Sequence, residues 1–189
     1  KQGKQQIVFF ESQSEEVGMV FSNAELVNEK GTFIKHHFEV NNKKQSIQNV
    51  PSGKIFADVL ARYFICVPTM VMRKTWLLEL SGYNEALSYE DFDLWVRGSL
   101  FSEFIYLDKV LVVKREHQGS LSKAMFSSEN KEYYYSTLQI CQFAFKSICS
   151  ADEKEALINR IKYEGRNASY FQADQAVAGF KYLLRELQS

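Results

Sequence analysis

Over the first third of the chain, the spacing of apolar residues alternates between that of a helix and that of a strand. Residues 3–14 place apolar side chains at helical spacing, and the apolar run from Val17 to Ser22 predicts a buried strand. Residues 28–31 have the composition of a turn, which leads into a second short strand over residues 32–34. Proline is favourable in the first turn of a helix, so we expect a helix from Pro51 to about Phe64.

The middle of the chain continues this mixture. The predicted elements are a strand over residues 67–73, helices over residues 75–80 and 88–100, and strands over residues 104–107 and 110–113. Gly82 is the predicted stop after the first of these helices. Asp108 and Lys109 are the predicted connection between the last two strands.

Beyond Ser127 the pattern is helical throughout. Three helices are predicted over residues 133–148, 153–170 and 172–187, and the last two resemble a helical hairpin. The sequence therefore predicts an α/β fold, with a mixed sheet flanked by helices over residues 1–125 and an α-helical tail over residues 126–189.

Composition excludes several classes of protein. The 189 residues hold 23 Lys and Arg against 23 Asp and Glu, and proteins that bind nucleic-acid backbone normally carry a basic excess. Three cysteines without a C-x-x-C pair favour a reducing, cytoplasmic compartment. No apolar run is long enough to span a bilayer.

The most informative stretch is residues 82–97. Glu90 and Asp91 stand side by side at the opening of an aromatic-rich helix, with Tyr89 before them and Trp95 after them. Aromatic faces cover the C–H patches of sugars, and carboxylates accept the protons of their hydroxyl groups. The pattern therefore indicates a sugar site.

The same residues have structural interpretations. Ser88-x-x-Asp91 fits a capping box, in which both side chains satisfy backbone groups at the start of a helix. Asp93 and Arg97 are four residues apart and fit an ordinary helix-surface ion pair. Trp95, at helical spacing from Phe92, fits a core position.

This stretch resembles a block found in family 2 glycosyltransferases, which are inverting enzymes with the GT-A fold. Gly82-Tyr83-Asn84-Glu85, followed by Glu90-Asp91-Phe92-Asp93-Leu94-Trp95-Val96-Arg97, is similar to "GGF-x-E … EDxDLWLR". Residues 115–122 (REHQGSLS) resemble the "yR-x-H-x-x-S-x-S" ending of that family, and residues 4–22 resemble its helix and strand after the metal motif. The resemblance covers about the first two-thirds of the chain, and several blocks in order are more specific than one.

The resemblance implies a transferase in which Asp91 is the general base for an acceptor hydroxyl. Glu90 is then expected to orient the loop or an acceptor hydroxyl. Tyr89 and Trp95 are expected to shape the acceptor pocket, and Thr69 to line the acceptor cleft. The partners implied are a nucleotide-sugar donor and a glycan or glycolipid acceptor.

The resemblance also implies residues for the departing diphosphate. Arg115 is expected to bind its charge, and His117 to ligate a divalent metal, Mn or Mg, in the full-length enzyme. A solvated strand end and a surface histidine are the corresponding structural alternatives. The family's D-x-D motif has no counterpart before Lys1, so we expect this chain to be the acceptor-side, C-terminal portion, inactive by itself.

Two other functions fit the sequence. The helical tail from Tyr133 onward suits a non-catalytic interaction module, and the aromatic stretch suits a sugar-binding domain without catalysis. We also expect self-association through an exposed sheet edge. The expected location is the cytoplasm, and a lipid-linked acceptor would bring the protein to the inner face of the membrane.

Overall fold

The computed structural model describes residues 2–117 and 131–189. In chain order the elements are α1 (Gln2–Glu11), β1 (Val17–Val27), β2 (Phe33–His36), α2 (Phe56–Ala61), a 3₁₀ turn (Val67–Thr69), β3 (Val71–Met72), α3 (Lys74–Glu79), α4 (Glu90–Ser99), β4 (Glu103–Arg115), α5 (Lys131–Ser147), α6 (Ala151–Tyr170) and α7 (Asp174–Gln188).

These elements form two compact units. The first contains all four strands with α1, the 3₁₀ turn and α3, and the second contains α2 and α4–α7. The predicted α/β class, with a mixed sheet and C-terminal helices, is confirmed. The predicted boundary between residues 125 and 126 lies outside the described residues.

Strand β1 is the centre of the sheet. It pairs antiparallel with β2 through Glu25–Val27 and with β3 through Met19 and Val20, and it pairs parallel with β4 along its length. Ten of its eleven residues are buried, which is the burial expected of a strand covered on both faces. Gly18 is required here, because a Cβ atom at this position would lie 2.3 Å from the indole Nε1 of Trp76.

The core beside β1 is apolar. Phe10 from α1 packs with Val17 and Val20 of β1, and with Leu107 and Leu111 of β4. The helix predicted over residues 3–14 and the strand predicted from Val17 are therefore confirmed, and β1 continues five residues beyond the predicted end at Ser22.

The prediction of two strands joined at Asp108-Lys109 is wrong, because β4 is one strand of 13 residues. Leu107 lies opposite Ser22 and Val110 lies opposite Asn23, so the two polar residues bulge out of the ladder. Asp108 accepts a hydrogen bond of 2.8 Å from the backbone N–H of Ser46. A bulge and a turn have similar compositions, which explains the error.

The helix predicted from Pro51 begins too early. Gly53 has a φ of 95° and exchanges two backbone hydrogen bonds with Phe104, of 2.8 and 2.9 Å. These bonds hold residue 53 in a bridge to β4, so α2 begins only at Phe56. The strand predicted over residues 67–73 is likewise shortened to β3, because Pro68 lies in a 3₁₀ turn.

The second unit is helical. The three helices predicted in the tail are confirmed as α5, α6 and α7. A capping box opens α6, in which Ser150 accepts from the backbone of Glu153 and Glu153 accepts from the backbone of Ser150. Gly179 of α7 faces Leu138 of α5, and a Cβ atom there would lie 2.3 Å from the leucine Cδ2.

Among the described helices, none has both the length and the apolar composition needed to cross a membrane.

Candidate functional site

The first turn of α4 carries the predicted carboxylates. Glu90 and Asp91 are its first two residues, and both are half-buried. Burial raises the pKa of Asp91 to about 6, and the negative charge of Glu90 contributes further in the same direction. A carboxylate with this pKa is largely ionised at neutral pH and accepts a proton more readily than an exposed aspartate.

The loop before α4 is fixed by hydrogen bonds within the second unit. The Arg97 guanidinium forms an ion pair of 2.6 Å with Asp93 and donates a bond of 2.9 Å to the carbonyl of Gly82. The backbone N–H of Ser88 donates to the hydroxyl of Ser136 in α5, at 2.8 Å. These bonds hold both ends of residues 82–88 and so fix the approach to Asp91.

Two structural alternatives can now be assessed. The Ser88–Asp91 capping box is not formed, because the N-cap residue of α4 is Tyr89, whose side chain makes no capping hydrogen bond. Asp91 therefore is not engaged as a cap. The Asp93–Arg97 pair is formed, and it also binds the Gly82 carbonyl, so it does more than an ordinary surface pair.

Tyr83 adds a hydroxyl group that sequence reasoning did not assign to the site. Its side chain is half-buried, and burial raises its pKa, with further contributions from the negative charges of Asp91 and Glu90. Tyr83 is therefore within electrostatic range of the two carboxylates. Its position one residue after Gly82, in the stretch that leads to α4, was the available signal.

The predicted aromatic residues differ in their exposure. Tyr89 is half-buried, with ring centroids 5.0 Å from Tyr63 and 5.4 Å from Tyr133. Trp95 is 3% exposed, with its ring 6.4 Å from that of Tyr89. The burial of Trp95 matches the alternative of a core position, and its role in sugar binding stays a prediction.

A buried polar cluster, which sequence reasoning missed, lies behind Tyr89. Arg160 of α6 stacks 3.7 Å above the ring of Tyr63 and donates from Nη1 to Glu164 at 3.1 Å. The Tyr63 hydroxyl donates to the same Glu164 oxygen at 2.5 Å, and the Tyr133 hydroxyl donates to that of Tyr63 at 3.1 Å. We call Tyr63, Tyr133, Arg160 and Glu164 the α6 cluster.

Three of the four residues of the α6 cluster are buried, and Tyr63 is half-buried. Arg160 is 2% exposed and Glu164 is 0% exposed. Burial raises the pKa of Glu164, while hydrogen bonds from Tyr63 and Arg160 act in the opposite direction. The sequence signal was an Arg and a Glu four residues apart on the apolar face of α6, beside Leu157 and Ile161.

The other three predicted residues belong to the first unit. Thr69 is 1% exposed, and its hydroxyl donates to the carbonyl of Cys66 at 2.7 Å and accepts from the N–H of Ser22 at 3.3 Å. Arg115 is exposed at the end of β4 and donates to the carbonyl of Glu29 at 2.8 Å. His117 is exposed, and Gln118–Ser122 of the same motif lie outside the described residues.

Four of the predicted residues thus lie together on or beside α4 in the second unit: Tyr89, Glu90, Asp91 and Trp95. Over residues 2–117 and 131–189, no three His, Cys, Asp or Glu side chains are grouped as metal ligands. His117 as a metal ligand stays a prediction.

No known family model matches the chain, and no curated protein is similar to it at a significant level.

Proposed function

We propose that this chain contributes the acceptor-side site of an inverting sugar transferase of the GT-A type, with Asp91 as the general base. The observation that carries the proposal is the position of Asp91, a half-buried carboxylate in the first turn of α4 beside Glu90, where burial raises its pKa to about 6. Perturbed carboxylates beside aromatic side chains are typical of catalytic sites. The resemblance of residues 82–97 to the family 2 block adds the reaction type.

The proposed reaction is a single displacement. A lone pair of the acceptor hydroxyl attacks the anomeric carbon as the bond to the nucleoside diphosphate breaks on the opposite face. The hydroxyl proton passes to a carboxylate oxygen of Asp91, which then releases it to solvent. The configuration at the anomeric carbon is therefore inverted.

Neighbouring groups support the role of Asp91. Burial, together with the negative charge of Glu90, raises the pKa of Asp91, so that its carboxylate is an effective proton acceptor near neutral pH. Tyr83, within electrostatic range of the carboxylates, supplies a hydroxyl that suits binding to an acceptor hydroxyl. Arg97 keeps Asp93 paired, so Asp93 is not available as a second base.

A divalent metal, when bound, would neutralise charge on the departing diphosphate. His117 and Arg115 are the residues that the resemblance assigns to that end of the reaction. The proton transfer to Asp91 is independent of them.

The test uses the protein at its natural length, with a panel of uridine, guanosine and thymidine diphosphate sugars and glycan acceptors. Release of nucleoside diphosphate measures turnover. We expect Asp91→Asn to lower turnover by at least about 100-fold, because a positioned base contributes that much or more. Donor binding should be unchanged.

Asp174→Asn is the matched control, since Asp174 is exposed in the first turn of α7 and lies in a helix start as Asp91 does. Turnover should be unaffected by this change. Full activity of the Asp91→Asn variant would contradict the proposal.

A further inference from the structure

Helices α6 and α7 leave a groove of about 300 Å³ along their seam. Its floor is apolar and is formed by Ile161, Val177, Phe180 and Leu184, with Gly165 at its middle. Ile161 and Phe180 are buried beneath it, and Val177 and Leu184 are half-buried. The groove is therefore a recess with an apolar floor.

Cations surround this floor. Lys162 and Arg166 lie on the α6 side and Lys181 on the α7 side, and all three are exposed. Among the described residues none of these three forms an ion pair, although the chain has equal numbers of acidic and basic residues. The groove thus concentrates positive charge without internal compensation, which favours an anionic ligand.

Gly165 leaves the middle of the floor without a side chain. A glycine inside a helix costs about 1 kcal/mol relative to alanine, and a close packing contact can account for it. Gly179 has one, because a Cβ atom there would collide with Leu138. At Gly165 a Cβ atom would lie 3.5 Å from the Cβ of Phe180, an ordinary contact that the fold accommodates. The absent side chain leaves the floor open instead.

The dimensions suit a short helix. Residues 161, 165 and 169 follow one another along the α6 side of the groove at intervals of four, which spans about 12 Å at 1.5 Å per residue. Two to three turns of a partner helix cover that distance. Apolar side chains at i, i+4 and i+7 of such a helix reach the floor, and its flanking positions face the cations.

We propose that this groove docks a short amphipathic helix of a partner protein, with an apolar stripe flanked by acidic side chains. A membrane surface fits less well, because membrane-binding helices present protruding apolar side chains, whereas here the apolar floor lies below a charged rim. The interaction is independent of sugar transfer.

The test selects binders from a displayed library of 14-residue helical segments, using the whole chain as bait. Enriched segments should carry apolar residues at i, i+4 and i+7 with Asp or Glu beside them. Gly165→Leu fills the floor and should weaken their binding at least tenfold. Gly165→Ala is the matched control, and it should retain most of the binding.

A second variant tests the charges. Replacing Lys162, Arg166 and Lys181 together by Gln should also weaken binding at least tenfold and reduce its dependence on salt. Circular dichroism melting checks that each variant is folded. If Gly165→Leu unfolds the chain, the triple Gln variant still decides the proposal.

Three results would overturn the proposal. The first is that the enriched segments carry no acidic residues, or that the folded variants bind them as tightly as the parent chain does. The second is charge-dependent binding of phosphatidylglycerol vesicles when no displayed segment binds, which would identify a membrane surface. The third is a dimer in sedimentation analysis that Gly165→Leu dissociates, which would identify a second copy of the chain as the occupant.

Discussion

The surroundings of Asp91 determine its pKa. Its side chain is half-buried, which disfavours the charged form, and Glu90 places a second negative charge next to it. Both effects raise its pKa to about 6, although the start of a helix ordinarily favours anions. When it is ionised, a half-buried carboxylate next to another negative charge lowers the stability of the folded chain, as many catalytic groups do.

The pH dependence of stability tests this cost. The pKa of Asp91 is higher in the folded chain than in the unfolded chain, so the folded chain binds the proton more tightly. The contribution to stability is therefore fully present below about pH 4 and is lost as the pH rises to about 6. We expect Asp91→Asn to remove this loss.

At pH 8, Asp91→Asn should raise the free energy of unfolding by about 1 kcal/mol, a value reduced for solvent screening at a half-exposed site. At pH 4 the variant and the parent should be nearly equal. Urea denaturation at the two pH values measures both differences. A variant that is less stable than the parent at pH 8 would show that the ionised carboxylate is well stabilised.

Helix α6 makes polar and aromatic contacts within the second unit that its amphipathic pattern alone does not predict. Arg160 donates to the carbonyl of Leu60 at 2.8 Å, and its guanidinium lies 5.1 Å from the ring of Phe92 in α4. Through Tyr63 and Tyr133 the α6 cluster also contacts the ring of Tyr89. One face of α6 therefore supports the residues immediately before Asp91.

Removing one partner of the buried Arg160–Glu164 ion pair should lower the free energy of unfolding. We expect Arg160→Met to lower the free energy of unfolding by about 3 kcal/mol or more, because Glu164 is left as a buried, uncompensated charge. The double change Arg160→Met with Glu164→Leu removes both charges and should be more stable than the single variant. Urea denaturation of the parent, the two single variants and the double variant measures the coupling between the two charges.

The outcome that contradicts this account is additivity. If Glu164→Leu lowers the free energy of unfolding further when it is added to Arg160→Met, the two charges do not compensate each other. The distance of 3.1 Å between Arg160 Nη1 and Glu164 Oε1 then does not represent a stabilising ion pair. Lys154→Met is a suitable control, since Lys154 is exposed on the same helix.

At the scale of the whole molecule, the sequence predicted the class and most elements. Apolar residues at helical spacing identified α1, α3, α4 and the three helices of the tail. The errors in the predicted elements arose where hydrogen bonds to distant parts of the sequence determine the local backbone structure. The Asp108 bulge and the Gly53 bridge both depend on partners far away in the sequence.

The candidate site was predicted unevenly for the same reason. Glu90 and Asp91 could be found from the sequence because they are adjacent and belong to one helix. The α6 cluster could not, because its members come from residues 63, 133 and 160–164, and only packing brings them together. The burial of Trp95 and Thr69 also follows from packing rather than from local pattern.

The pH dependence of sugar transfer by the natural-length protein tests the central claim most directly. We predict that the rate rises with pH around an apparent pKa near 6, and that Glu90→Gln moves this rise to lower pH because it removes the neighbouring negative charge. A rise that stays at the same pH in the Glu90→Gln variant, or persists in Asp91→Asn, would contradict Asp91 as the base.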